Sequence, residues 1–208
     1  MKPLFIVLEG IDKAGKSTQA EKLKEYLINC NYQAIISSEP TDGVIGKLLR
    51  EAMQSQIIAI KDKAKFDEQM AYLFAADRHY HLYNDVDGVY KLIQQNHSYV
   101  IATRYYFSSL AYNANTQKEF DFVYGLNKCF PDPDLVIYMD ISLELALSRI
   151  ENSPYQEVYE TKEKLKRVKE NYHKIFQSYQ GNILKLDGMN TIESIHHQII
   201  TYLADNFA

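Results

Sequence analysis

The sequence predicts an α/β protein: a five-stranded parallel sheet in a three-layer arrangement, with helices on both faces. Three observations lead there. Short apolar runs alternate with stretches of helical period, the pattern of strand–helix–strand units. The runs are apolar nearly throughout, as strands buried on both faces should be. Between the first run and the first helical stretch stands Gly10-Ile11-Asp12-Lys13-Ala14-Gly15-Lys16-Ser17, followed by Thr18.

The predicted strands cover 4–9, 34–38, 99–103, 135–140 and 183–186. Helical patterns fill the intervals: 16–29, 45–55, 66–95 with a break near 85–88, 107–128, 143–151, 161–179 and 191–204. Ser142 followed by Glu144, and Thr191 followed by Glu193, read as capped helix starts. No repeat or linker interrupts the 208 residues, which suit a single domain with a small lid. In such sheets ligands bind beyond the carboxyl ends of the strands. Residues 9–16, 39–41, 103–105 and those following 140 are therefore the segments to watch.

The stretch 10–17 reads as a phosphate-binding loop. Gly10 and Gly15 let the backbone turn its N–H groups toward phosphate oxygens. The following helix adds uncapped N–H groups and a positive dipole end. Lys16 is placed to reach the β- and γ-phosphates, and the Ser17 hydroxyl to ligate Mg²⁺.

Composition limits the rest. The net charge of −4 gives no broad basic surface for nucleic acid, so an anion site must be local. Two cysteines, Cys30 and Cys129, make neither a disulfide framework nor a zinc cluster. No apolar run has membrane-spanning length and no signal peptide is read at the N-terminus, so a cytoplasmic protein without membrane contact is expected.

Other motifs carry less on their own. Pro40 in Glu39-Pro40-Thr41 turns the chain at the sheet's ligand edge, and a plain strand-ending turn reads equally well. Phe74 and Arg78 share a helical face. A ring and a guanidinium there suit a base, and equally a core phenylalanine with a surface arginine. Arg104 at a strand's carboxyl end suits a bidentate phosphate grip. Ser108 and Tyr112 share a face beyond it, where Tyr112 can wall off a sugar. Arg149 closes a helix, where it also satisfies the dipole. Residues 151–160 are polar, contain no Arg or Lys, and read as a lid.

Taken together, Glu9 to Gln19, Glu39-Pro40-Thr41, Phe74-Ala75-Ala76-Asp77-Arg78 and Arg104 to Tyr112 resemble the thymidylate kinases of the nucleoside monophosphate kinase superfamily. The resemblance implies a P-loop kinase fold with a short lid, ATP and Mg²⁺, dTMP as acceptor and a homodimer. It implies that Phe74 stacks on thymine, Arg78 bonds a base carbonyl and Arg104 holds the acceptor phosphate. Tyr112 would favour deoxyribose, Asp12 would lie near the acceptor and the metal, and Arg149 would pack on adenine. Family members carry their catalytic cation either in the phosphate loop or in the lid; Lys13 places this chain with the first. The family usually has Asp before the Arg-Tyr pair, where this chain has Thr103. A hydroxyl is a poorer ligand for a hard cation, which leaves Asp12, Glu9 and Ser17 as metal candidates. The rival readings are a deoxynucleoside kinase and a catalytically impaired nucleotide-binding protein that acts through partners.

Overall fold

The computed structural model describes residues 2–55, 57–151 and 162–207. Most of the segment expected to form the lid, 152–160, lies outside the described residues. Five strands form one parallel sheet in the order β2-β3-β1-β4-β5. They are β1 (Phe5–Glu9), β2 (Gln33–Ile36), β3 (Ser98–Thr103), β4 (Leu135–Asp140) and β5 (Ile183–Asp187). β1 is central, and Ile6, Val7 and Leu8 are wholly buried, as are Val100 and Ile101 of β3 and Val136 and Ile137 of β4. Burial on both faces explains why these strands read as unbroken apolar runs.

The helices are α1 (Lys16–Asn29), α2 (Val44–Ser55), α3 (Lys63–Tyr83), α4 (Val89–Gln94), α5 (Tyr106–Tyr112), α6 (Gln117–Asn127), α7 (Leu143–Glu151), α8 (Lys162–Ser178) and α9 (Ile192–Phe207). They flank the sheet, with α1 against α9, α5 against α8, and α3 against α2, α4 and α6. A smaller core of Leu49, Ala52 and Met70 joins α2 to α3. Among the described residues no helix is long and apolar enough to cross a membrane.

The expected helix over 107–128 is two helices. Thr116 and Glu119 form a reciprocal capping box that starts α6. The end of α5 is closed from α8, where Asn171 Nδ2 donates to the carbonyls of Ala111 (3.0 Å) and Ala114 (2.9 Å). α3 begins earlier than expected because Asp62 caps it, accepting from Lys65 N–H at 2.9 Å. The predicted break is present between α3 and α4, where Asn84 Oδ1 accepts from the N–H groups of Val86 and Asp87. Ser142 and Thr191 cap as their spacing predicts, accepting from Leu145 and Ser194 N–H.

Register fixes what faces what. Leu8 pairs with Thr103, so β1 and β3 end level, and Arg104 N–H donates to Leu8 O at 3.0 Å. The phosphate-binding loop and the Arg104 turn therefore leave the sheet side by side.

Candidate active site

The loop after β1 is shaped by close approach. Gly10 has φ 145°, and a Cβ there would lie 2.6 Å from Met139 O at the end of β4. Gly15 has φ 95°, and Lys13, at φ 62°, adopts the left-handed region without being glycine. α1 starts at Lys16 with Gly15 as N-cap, and glycine offers no side chain to cap the first turn. Lys16 Nζ lies back over the loop and donates to Gly10 O (2.9 Å) and Ile11 O (2.8 Å). Ligand phosphates would have to outbid these two carbonyls. Arg149 Nη1 reaches from the end of α7 to Lys13 O at 2.8 Å.

This loop walls a cleft of about 580 Å³, lined also by Glu39, Thr103, Arg104, Arg149 and Gly188. Ser17 and Asp12 line it too, and their hydroxyl and carboxylate oxygens suit a hard divalent cation. Thr103 Oγ1 donates to Ser38 Oγ at 2.8 Å, so the residue standing at the family's Asp position pairs with a second hydroxyl.

Beside the loop, Arg104 ion-pairs with the loop's own Asp12. Tyr112 Oη donates to the other Asp12 oxygen at 2.9 Å, and the Arg104 guanidinium lies 4.8 Å from the centre of the Tyr112 ring. Arg104 Nη1 donates to Ser108 Oγ at 3.0 Å. Burial opposes the charge on Arg104, but Asp12 and the surrounding tyrosines hold its pKa well above the usual arginine value. Asp12, Arg104, Ser108 and Tyr112 are thus brought together; the spacing relates the last three, and Asp12 joins them through the fold.

Glu9 is not available to a metal. Its carboxylate is wholly buried and accepts from Tyr105 N–H (2.7 Å), Ser108 Oγ (2.7 Å) and Tyr172 Oη (2.7 Å). Burial pushes its pKa up, while Arg104 and the two hydroxyls pull it down.

Arg78 sits one layer behind the cleft. It is buried, donates to Glu39 Oε2 (2.6 Å), Ser109 Oγ (3.1 Å) and Asn127 Oδ1, and lies 5.3 Å from the Tyr105 ring centre. Its Nε has no partner among the described residues. The other Glu39 oxygen pairs with His81 Nδ1 at 3.1 Å, and His81 Nε2 meets Ser37 Oγ at 2.9 Å. The turn around Pro40 is clamped from two helices. Asp77 accepts from Thr41 N–H (2.8 Å) and Thr41 Oγ1 (2.6 Å), and Arg50 donates to Pro40 O and Thr41 O, both at 2.7 Å. Phe74 is half-buried and packs on the α2–α3 core, and neither it nor Pro40 lines the large cleft. Glu39 stood in a quoted motif without a role; His81, Asn127 and Tyr172 carried no signal, because their partners lie 42, 49 and 163 residues away.

The thymidylate kinase family model matches residues 8–199. A protein named "Probable thymidylate kinase" from Methanosphaera stadtmanae is 37% identical over 207 residues, covering 96% of this chain and 99% of that one. Another of that name, from Methanococcus aeolicus, is 36% identical over 206 residues, covering 97% and 96%. Among solved structures, a thymidylate kinase from Candida albicans superposes with a TM-score of 0.78 at 22% identity, covering 99% of this chain and 92% of that one; this likeness bears on the fold. With its phosphate loop and the Arg104 turn emerging side by side from the sheet, the chain belongs to the thymidylate kinase family.

Proposed function

We propose that this chain transfers the γ-phosphate of ATP to dTMP, giving dTDP. The observation that carries the reading is the pairing of two anion grips in one cleft: the loop ending in Lys16 and Ser17, and beside it Arg104 and Tyr112, both held by the loop's own Asp12. Phosphoryl transfer asks for positioning and charge neutralisation rather than covalent help. Lys16 leaves its loop carbonyls for the donor phosphates. Arg104 takes the acceptor phosphate, releasing Asp12 toward the sugar and the metal. Lys13 neutralises charge on the transferring group. Ser17 and Asp12 would hold Mg²⁺, which would supply neutralisation of the negative charge on the donor phosphates. Arg149 packs on adenine, Phe74 and Arg78 read the base, and the Arg78 Nε, without a partner among the described residues, supports a carbonyl acceptor there.

The deoxynucleoside kinase reading needs a carboxylate base for an uncharged hydroxyl. In the cleft Asp12 is tied to Arg104 and Glu39 to Arg78 and His81, and position 103 is a threonine. That favours an acceptor already phosphorylated. A homodimer is part of the proposal, supported by the exposed rings of Tyr72, Tyr80 and Tyr83 on α3 and Tyr124 on α6. The unpaired Cys30 and Cys129 suit the reducing cytoplasm.

A coupled ADP-release assay over dTMP, UMP, CMP, AMP, GMP, thymidine and no acceptor tests the reading. dTMP is expected to give the highest kcat/KM. AMP or CMP in first place overturns the thymidylate assignment, and thymidine in first place supports the nucleoside kinase.

A further inference from the structure

Arg104 has φ 85°, a left-handed conformation that an arginine keeps only where its surroundings hold it. Two ties hold it. Its own N–H donates to Leu8 O, and the next N–H, that of Tyr105, donates to Glu9 Oε1 at 2.7 Å. Glu9 also controls the far end of the same residue. Its Oε2 accepts from Ser108 Oγ at 2.7 Å, and that hydroxyl accepts from Arg104 Nη1 at 3.0 Å. The backbone and the guanidinium of Arg104 are therefore fixed through one carboxylate.

That carboxylate is a costly choice. It is wholly buried, and an ionised group out of water is tolerated only when fully paired. Its partners answer the need: Tyr172 Oη from α8 donates at 2.7 Å and Ser108 N–H at 3.3 Å. α5 has no side-chain cap of its own, so Glu9 supplies one from β1. Tyr112, whose hydroxyl meets Asp12, ends that helix.

We propose that Glu9 is a positioning residue for the acceptor phosphate: it locks the Arg104 backbone, aims the guanidinium through Ser108, and through Tyr172 makes α8 part of the same lock. The inference rests on the reading that Arg104 grips that phosphate.

The test is steady-state kinetics with dTMP and ATP varied separately, for Glu9→Gln, Tyr172→Phe, Arg104→Ala and the Glu9→Gln/Arg104→Ala double variant. Glutamine keeps the shape and one carbonyl acceptor. Glu9→Gln is expected to raise KM for dTMP about tenfold, with KM for ATP within about twofold; Tyr172→Phe should shift it the same way by less. In the Arg104→Ala background Glu9→Gln should add nothing, because the residue it positions is gone. A purely structural Glu9 would weaken both substrates and add fully in the double variant, which overturns the proposal. Should Glu9→Gln fail to fold, Tyr172→Phe decides alone: an unchanged KM for dTMP overturns the lock. If Arg104→Ala itself leaves KM for dTMP unchanged, the grip falls and the proposal with it.

Discussion

The two walls of the cleft are built by different means. The donor wall is local: eight consecutive residues, two glycines, a lysine folded onto its own loop and the uncapped start of α1. The acceptor wall is assembled at long range. Asp12 meets Arg104 across 92 positions, Glu39 meets Arg78 across 39, and Glu9 meets Tyr172 across 163. Phosphate recognition by main-chain N–H groups needs few side chains, so it condenses into a motif. Holding arginines at fixed angles needs buried carboxylates, and these draw on the whole fold.

The contrast predicts that loss of a buried ion pair in the acceptor wall reads out in stability as well as in KM for dTMP, and damage to the donor wall in rate alone. The largest effect should come from Glu39→Ala. It leaves Arg78 charged and buried without its carboxylate, a loss of about 3–5 kcal/mol, read as a fall in the urea unfolding midpoint. If that midpoint holds, the acceptor wall is not a stability element and the contrast fails. Next comes Lys16→Ala, expected to cut kcat about a hundredfold or more with little change in the unfolding midpoint. Near-native turnover in the folded variant would remove Lys16 from the donor grip. Lys13→Ala should lower kcat about tenfold, or ~1.4 kcal/mol, and leave KM for dTMP nearly unchanged; equal activity would move the catalytic cation elsewhere, with Arg149 the first candidate.

Thr103→Asp is smaller and sharper. A carboxylate in place of the Thr103–Ser38 hydroxyl pair should lower the Mg²⁺ concentration needed for half-maximal rate about threefold. An unchanged Mg²⁺ titration would show that position 103 does not serve the metal. The smallest effect belongs to neither wall. Burial raises the Tyr99 hydroxyl to about 12. The folded chain then holds that proton more tightly than the unfolded chain, whose tyrosines titrate at about 10. The contribution is complete below about pH 10 and is lost as pH rises through about 12. Tyr99→Phe should flatten the decline of the urea midpoint over that interval; an identical decline would mean that Tyr99 does not carry it.

Sequence made the donor wall legible because its chemistry is consecutive. The strands were legible for the same reason: burial on both faces leaves a run that needs no partner to be recognised. The division of 107–128 was not seen, although Thr116 and Glu119 already had the spacing of a capping box. Apolar residues continue through it, Phe107, Leu110 and Ala111 before and Phe120 and Val123 after, so the helical period masked the stop. Arg104, Ser108 and Tyr112 were found because they follow one strand end. Glu9 was visible only as a carboxylate near the loop. Its partners come from α5 and α8, and no spacing along the chain announces a contact made only by folding.

Asp77, Arg78 and His81 fall within five consecutive positions of α3, and all three grip the segment 39–41 that follows β2. That stretch of helix and that turn are consequently one heritable module. A change of acceptor preference made by exchanging residues in the turn alone would strand an arginine, a histidine and a carboxylate against mismatched partners. Transplanting 37–41 together with 74–81 would carry the matched set intact. Recombination between relatives that separates these two segments should be tolerated far less often than recombination that keeps them on the same fragment.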